Sequence, residues 1–339
     1  MAQESKTEAS SPKRIVVRTP NWIGDHVMAR PFYHALRKAY PHSQITFLCP
    51  ESLKNFDDSK FAHQKLTLTS AERKISKAFL KRASEIKTVK FDLAFCLPAS
   101  FSAAFFLFLA GARNRLGFSN DGGVLFHSFS IPWKGIEDRR HKSNQYLQLL
   151  ETSLGHPIAN DWQTPQSSRA REKLIVIAPG ASISLREYPY FPELLRLLSV
   201  NYPTHRIVVT GSNQESKFKS QIARLKLANI EDRIGLTTLE EVIELCGKAE
   251  AVLSNDSGVA HLSATLASAP TVILFGPGDP FYISPLGANS HPIRIDIPCS
   301  PCEKSYCRAP YGYQACLRGI APEIILQRIK ALTSTHFGH

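Results

Sequence analysis

Short apolar runs alternate with helical stretches through the first half of the chain. The run Arg14–Arg18 leads into a stretch whose apolar residues recur at helical spacing. Pro31 falls inside that stretch, so it must kink the helix or mark a second helix start. Further strands are predicted at Gln44–Leu48, Phe91–Cys96 and Asn114–Gly117. This alternation predicts an α/β fold with a parallel, doubly wound sheet.

The second half repeats the pattern with four apolar strands, each followed by a loop of small and polar residues. The strands are Lys173–Ala178, Arg206–Thr210, Ala251–Ser254 and Thr271–Phe275, and their loops read PGAS, GSNQE, NDSG and GPGD. Ligands of open α/β sheets bind beyond the carboxyl ends of the strands. We therefore expect these four loops to form the wall of one binding site.

The length of 339 residues is sufficient for two domains. Residues 155–171 are rich in Pro, Ser, Gln and Asn and show no periodic apolar face. We predict a first domain over residues 14–160, a linker over 161–171 and a second domain over 172–339. The polar residues 1–13 lack the apolar core of a secretory signal, so they predict a disordered leader and a cytoplasmic protein.

Positive charge is concentrated in the first half. The formal net charge is +12, with 23 Lys and Arg against 13 Asp and Glu in residues 1–160, and 18 against 16 afterwards. The halves therefore carry +10 and +2, which indicates an anionic partner for the first half or a lysine-rich solvated surface. Basic clusters are too sparse to indicate nucleic acid. The apolar run Ala99–Ala112 is shorter than the roughly 20 residues that span a bilayer, which favours a buried helix over a membrane-surface segment.

The segment Asn255–His261, NDSGVAH, lies between a predicted strand and a predicted helix. A helix start offers unpaired backbone N–H groups, and Gly258 permits close approach, so the segment could hold a diphosphate. The alternative is an ordinary helix cap by Asp256 or Ser257, which leaves His261 without a use. His261 lies one turn beyond Ser257 on the same helical face.

Two more loops of the second half carry candidate donor contacts. Ser182 and Arg186 follow the first strand of this half, where a hydroxyl and a cation could bind a phosphate, or could belong to an ordinary surface loop. Glu215 could bind ribose hydroxyls, although a role in favouring the helix start electrostatically is the preferred interpretation.

One acid of the first half is a candidate catalyst. Asp25 follows Gly24 near the end of the first strand, where a carboxylate could act as general base on an acceptor hydroxyl. Stabilisation of the helix start by Asp25 is an equally good interpretation.

Four cysteines follow the last predicted strand at the spacing C-x2-C-x4-C-x8-C: Cys299, Cys302, Cys307 and Cys316. Four thiols could hold structural Zn or Fe, but the spacing matches no standard zinc finger. A structural knot, with or without metal, is favoured over a catalytic metal, and reduced thiols stay open as an alternative. We predict no metal or cofactor for catalysis.

Together, these motifs resemble the ADP-heptose:lipopolysaccharide heptosyltransferases of glycosyltransferase family 9 over residues 14–329. The shared features are W-x-G-D followed by Pro and an aromatic residue, a hydroxyl-bearing loop with a basic-x-aromatic-Pro element, N-D-S-G-x-x-H, F-G-P, and an I-x-P helix start. In this chain they are Trp22, Gly24, Asp25, Pro31 and Phe32; Ser182, Arg186, Tyr188 and Pro189; Asn255–His261; Phe275–Pro277; and Ile320 and Pro322. Arg186 stands where several members have Lys, and Tyr188 where Trp is usual.

The resemblance implies a GT-B fold of two Rossmann-like domains, with acceptor bound by the first and nucleotide sugar by the second. It implies inverting transfer of heptose from ADP-L-glycero-β-D-manno-heptose to the lipopolysaccharide inner core, with Asp25 as base. Asp256 would contact the heptose and Glu215 the ribose. The diphosphate would be held by Ser182, Arg186 and the backbone of Ser257 and Gly258, with His261 also in the donor site.

An anionic lipopolysaccharide acceptor would also explain the positive first half. Its candidate contacts are Arg113, Arg115, Arg139 and Arg140. The apolar run near Phe105 suggests a peripheral contact with the inner membrane, and a monomer is expected. The alternatives are another nucleotide sugar, a protein acceptor, or a non-catalytic nucleotide-sugar-binding protein. The absence of GxGxxG after either first strand counts against an NAD-dependent dehydrogenase.

Overall fold

The computed structural model describes residues 11–166 and 170–334, which form two compact units. The first unit contains the chain up to Asn21, Ala29–Gly135 and Ser143–Trp162. The second contains Trp22–Met28, Ile136–Lys142 and the chain from Gln163 onward. Residues 1–10 of the predicted leader and 167–169 of the predicted linker lie outside the described residues.

The first unit is built on a parallel sheet in the order β3-β2-β1-β4-β5-β6. Its strands are β1 (Arg14–Arg18), β2 (Gln44–Pro50), β3 (Gln64–Leu68), β4 (Leu93–Cys96), β5 (Asn114–Phe118) and β6 (Phe129–Ile131). Successive helices are α1 (Ile23–Met28), which belongs to the second unit, α2 (Arg30–Ala39), α3 (Lys77–Lys87), α4 (Phe101–Leu109) and α5 (Lys142–Leu154).

Alternate residues of a strand point to opposite faces of a sheet, and β1 supplies both apolar layers of the first unit in this way. Ile15 and Val17 pack in one layer with Phe32 and Phe95. Val16 packs in the other layer, against helices α3 and α4. The sheet is therefore covered on both faces, as expected for a doubly wound fold.

The second unit repeats this architecture, with the parallel order β12-β11-β10-β7-β8-β9. Its strands are β7 (Glu172–Ala178), β8 (Arg206–Val209), β9 (Ile230–Asp232), β10 (Ala249–Asn255), β11 (Thr271–Leu274) and β12 (Ser290–Ile293). Its later helices are α6 (Phe191–Asn201), α7 (Lys217–Leu225), α8 (Leu239–Lys248), α9 (Gly258–His261), α10 (Pro280–Ile283), α11 (Ala315–Arg318) and α12 (Pro322–Ser334). A π-helical turn, Leu262–Leu266, continues α9.

The predicted strands are confirmed, with ends that differ by one or two residues. Pro31 marks a second helix start, because α1 ends at Met28 and α2 begins at Arg30. The run Ala99–Ala112 forms α4, which buries Phe106 and Leu107 but leaves Phe108 46% exposed. Within the described part of the chain, the helices all fall short of the length and hydropathy needed to cross a membrane.

Candidate active site

The loops after the strands of the second sheet lie against one another, as predicted. The Asn255 side chain joins two of them, because its Nδ2 donates to the Pro179 carbonyl at 2.6 Å and its Oδ1 accepts from the Tyr188 N–H at 3.2 Å. Strands β7 and β10 are neighbours whose connections run in opposite directions, which makes this edge the topological switch point of the sheet. The switch point is where open α/β sheets bind ligands.

Helix α1 packs on helix α9 through two glycines. A Cβ on Gly24 would lie 2.7 Å from Cδ2 of His261, and a Cβ on Gly258 would lie 3.2 Å from Cβ of Ile23. Each helix therefore needs a glycine where the other approaches. This contact brings Asp25, on α1, to the loop that carries the N-D-S-G sequence.

Asp25 is paired with a cation that the sequence did not single out. The Lys142 ammonium donates to Asp25 Oδ1 at 2.7 Å, and both side chains are largely buried. A charge-assisted hydrogen bond of this kind fixes the direction of the carboxylate.

Arg186 lies between two carboxylates. Its NH1 is 2.9 Å from Asp256 Oδ2, and its NH2 is 3.9 Å from Glu303 Oε2. Glu303 also accepts from the Asp279 N–H at 2.6 Å. Burial raises the pKa of Asp256 to about 6, although Arg186 opposes the shift. Burial likewise raises the pKa of Glu303. Arg186 is thus held by acids that bind protons more readily than ordinary carboxylates do.

His261 is buried and neutral. Burial, with the nearby charges of His141, Lys142 and Arg186, lowers its pKa to about 3. Among the described residues, no group hydrogen-bonds its Nδ1.

The other predicted donor residues surround the same loops. Glu215 lies against Gly180, where a Cβ would be 2.2 Å from Glu215 Cγ, and its Oε2 accepts from the Ser212 hydroxyl at 2.6 Å. Ser182 is exposed on the loop after β7. The Ser257 hydroxyl lies 3.0 Å from that of Ser254.

The four candidate arginines fall into both units. Arg113 is exposed in the first unit, whereas Arg115 there donates to the carbonyls of Phe126 and Ala112 at 2.6 and 2.5 Å. Arg139 and Arg140 belong to the second unit, and Arg140 forms a bidentate pair with Asp138 at 2.9 and 2.8 Å. These arginines are therefore not one cluster within either unit.

The four late cysteines are partly buried free thiols. Burial raises the pKa of Cys316, and the neighbouring Cys299 and Cys302 contribute to that increase. Cys307 Sγ accepts from the Gln314 N–H at 3.4 Å. Over residues 11–166 and 170–334, no three His, Cys, Asp or Glu side chains are arranged to hold a metal ion. Zinc or iron binding by these thiols stays a prediction.

The site also contains functional candidates that sequence reasoning missed, chiefly Lys142, Glu303 and Gln314. Lys142 lies far from any strand end, and Glu303 and Gln314 lie among the cysteines, where thiol spacing dominated the interpretation. The available signal was the position of Glu303 directly after Cys302, a carboxylate in a loop beyond the last strand.

The two doubly wound sheets define the GT-B fold class. The fold matches the structure of *E. coli* ADP-heptose lipopolysaccharide heptosyltransferase II with a TM-score of 0.77 and 22% identity, covering 96% of this chain and 100% of that one. It matches the *E. coli* heptosyltransferase WaaC with ADP with a TM-score of 0.71 and 19% identity, covering 94% and 99%.

The sequence comparison gives the family. The model of glycosyltransferase family 9 (heptosyltransferase) matches residues 79–311, so the chain belongs to this family and is a glycosyltransferase. It is 25% identical over 360 residues to lipopolysaccharide heptosyltransferase 2 of *Escherichia coli* K12, covering 94% of this chain and 98% of the relative. It is 26% identical to lipooligosaccharide heptosyltransferase 2 of *Haemophilus ducreyi*, covering 94% and 99%.

The contact between Gly24 and His261 predicts a steric cost for Gly24→Ala. The added methyl group meets a buried ring at 2.7 Å, so the substitution should lower the free energy of unfolding by about 1 to 3 kcal/mol. Chemical denaturation measures this cost. The same substitution should cost clearly less in a His261→Ala background. An equal cost in both backgrounds would contradict the contact.

The raised pKa of Asp256 predicts that Asp256→Asn stabilises the protein at neutral pH. Because the folded-state pKa lies near 6 and the usual value is 3.8, the ionised carboxylate costs stability above pH 6, and this cost disappears as pH falls from 6 to 4. Asp256→Asn should therefore gain roughly 1 to 3 kcal/mol at pH 7.5 and nearly nothing at pH 4.

Thermal unfolding at both pH values measures the difference. Asp296→Asn is the control, because the Asp296 side chain is 90% exposed. A loss of stability in Asp256→Asn at pH 7.5 would show that its pair with Arg186 outweighs the burial.

Proposed function

We propose that this enzyme transfers L-glycero-D-manno-heptose from its β-linked ADP donor to the inner core of lipopolysaccharide. The main support for the proposal is that one unit contains both the candidate base and the candidate donor site, beside each other. Gly24 packs on His261, so Asp25 lies beside the loop that carries Asp256, Ser257 and Gly258. The family and the names of the relatives support heptose as the transferred sugar.

Asp25 is the proposed general base. The acceptor hydroxyl oxygen bonds to the anomeric carbon while the bond from that carbon to the diphosphate oxygen breaks. ADP leaves with the bonding electron pair, and Asp25 takes the hydroxyl proton. Because the hydroxyl attacks the face opposite the leaving diphosphate in a single displacement, the anomeric configuration is inverted. The pair with Lys142 at 2.7 Å holds the Asp25 carboxylate in a fixed direction during this step.

The donor is proposed to bind at the switch point of the second sheet. Arg186, the Ser182 hydroxyl and the backbone N–H groups of Ser257 and Gly258 bind the diphosphate, whose negative charge replaces the carboxylates now facing Arg186. The remaining donor contacts are assigned from the chemistry of each side chain. Asp256 accepts from heptose hydroxyls, Glu215 accepts from the ribose, and His261 lies on the helix that begins in the same donor loop.

The acceptor is proposed to be anionic. The excess of 23 Lys and Arg over 13 Asp and Glu in residues 1–160 attracts the carboxylates and phosphates of the inner core. Of the two candidate arginines in the first unit, Arg113 is the more accessible, since the Arg115 guanidinium already binds backbone carbonyls. A monomeric state and the absence of a nucleic-acid partner stay predictions.

The transfer reaction predicts a large kinetic effect of Asp25→Ala. Loss of the base should reduce kcat by about 10² to 10⁴-fold and change the KM for ADP-heptose little. Heptose-free and singly heptosylated core oligosaccharides are incubated with ADP-heptose, and product is scored by mass. Asp296→Ala, which removes an exposed carboxylate, is the matched control and should retain wild-type turnover.

The outcomes separate the alternatives. If Asp25→Ala retained its turnover, the assignment of Asp25 as the general base would be wrong. If the wild-type enzyme acted on another nucleotide sugar or a protein acceptor, but not on ADP-heptose with core oligosaccharide, the proposed substrates would be wrong. Donor binding without turnover on any acceptor would favour a non-catalytic binding protein.

We also propose that the first unit touches the cytoplasmic face of the inner membrane. The exposed apolar side chains of α4 and the segment after it form an aromatic patch, defined as Phe101, Phe108, Val124, Leu125 and Phe129. Two members of the patch share a neighbour, because the Phe126 ring lies 5.1 Å from that of Phe101 and 5.6 Å from that of Phe108. The Arg115 guanidinium lies 5.3 Å over Phe108. Apolar side chains beside cations are suited to anionic lipid.

This patch predicts that Leu125→Asp weakens membrane binding. Leu125 is 74% exposed, so a charge there should leave the fold intact but reduce binding to phosphatidylglycerol-containing vesicles by about tenfold. Co-sedimentation measures the bound fraction. Val200→Asp changes a residue of the second unit that is 75% exposed and should bind like wild type. Equal binding by both variants and wild type would refute the patch.

A further inference from the structure

The segment that contains the four cysteines makes contacts that none of the roles above uses. We call residues 299–318 the cysteine tail. Its first part is bound to the loop after β11. The Ser300 hydroxyl donates to the Gly276 carbonyl at 2.6 Å, and the N–H groups of Cys302 and Glu303 donate to the Pro277 carbonyl at 3.0 and 2.8 Å. These bonds anchor the tail at the edge of the sheet where the donor site lies.

The second part of the tail holds the turn that carries Arg186. Gln314 is buried, and its side-chain Nε2 lies within hydrogen-bond distance of the carbonyls of Ser184, Leu185 and Glu187, at 3.2, 3.1 and 3.3 Å. The turn Ser184–Arg186 is a single 3₁₀ turn. Carbonyls at the end of so short a helical segment have few partners within it, so the Gln314 amide supplies what the turn lacks.

The tail contacts the guanidinium as well as the backbone. Glu303 Oε2 lies 3.9 Å from Arg186 NH2, and Asp256 Oδ2 lies 2.9 Å from NH1 of the same guanidinium. The other Glu303 oxygen accepts from the Asp279 N–H at 2.6 Å, which fixes this carboxylate. The tail therefore acts on Arg186 in two ways: Gln314 binds the backbone of the turn that carries this side chain, and Glu303 places a carboxylate within ion-pair distance of the guanidinium.

From these contacts we infer that Gln314 and Glu303 are positioning residues, through which the cysteine tail sets Arg186 in place for the donor diphosphate. The inference rests on the proposed donor role of Arg186. In this role the tail contributes to binding of the nucleotide. It takes no part in the proton transfer at Asp25, which lies on helix α1. Loss of the Gln314 contact should weaken donor binding and leave the chemical step nearly unchanged.

Gln314→Leu tests the inference, because leucine fills similar space without an N–H donor. The KM for ADP-heptose and the dissociation constant of ADP, from calorimetry, should each rise by about tenfold, with kcat changed by less than about threefold. Tyr311→Ala is the matched control. Tyr311 is in the same tail, is 58% exposed and should behave like wild type.

A double-mutant cycle separates positioning from a general loss of structure. If Gln314 acts through Arg186, ADP binding in the double variant Gln314→Leu with Arg186→Ala should be no weaker than in Arg186→Ala alone. Additive losses, or an unchanged KM in Gln314→Leu, would overturn the inference. If Gln314→Leu does not fold, as judged by circular dichroism, Gln314→Met, which is unbranched like glutamine and also lacks the N–H donor, replaces it in the same cycle with the same expected results.

The same measurements distinguish failure of the inference from failure of the proposed function. Unchanged ADP affinity in Arg186→Ala would refute the donor role of Arg186 and, with it, the inference. Weakened ADP binding in Arg186→Ala, together with wild-type binding in Gln314→Leu and Gln314→Met, would leave the proposed function intact and overturn the inference alone.

Discussion

The site depends on one steric constraint, the close packing of helices α1 and α9. Gly24 admits the His261 ring and Gly258 admits Ile23, so neither helix could approach this closely with a side chain at its contact point. The contact places the candidate base next to the N-D-S-G loop. It also encloses the His261 ring, and this burial keeps the imidazole neutral with a pKa near 3. The close packing that the two glycines allow therefore affects both the position of Asp25 and the pKa of His261.

The charges around Arg186 suit a site that must bind and release a strongly anionic ligand. A lone buried arginine would be costly, and Asp256 and Glu303 compensate it. Burial raises the pKa of both acids, so their ionised forms are already disfavoured before a diphosphate arrives. Protonation of one acid would reduce its repulsion of the phosphate groups. The arrangement exchanges a protein carboxylate for a ligand phosphate at the same guanidinium.

Sequence patterns predicted the central strands because these are buried on both faces and read as continuous apolar runs. The edge strands β3, β6, β9 and β12 were missed, since QKLTL, FSI, IED and SHPI are short, partly polar and covered on fewer sides. The site was predictable where each residue follows a strand, as Arg186, Glu215 and Asp256 do. Lys142 and Gln314 reach it through tertiary contacts, for which local sequence has no signal. Local sequence also has no signal for the structural role of Asn255, whose side-chain amide joins two loops.

The presence of arginine rather than lysine at position 186 has a physical consequence at the cysteine tail. A lysine ammonium is a single point of charge, whereas a guanidinium presents separate nitrogens in a fixed plane. Arg186 uses NH1 for Asp256 and NH2 for Glu303, two carboxylates on different segments of the chain. A lysine could not face both in one fixed geometry. Arg186 and Glu303 therefore form a long ion pair beside the shorter pair with Asp256, and the cysteine tail supplies this second acid.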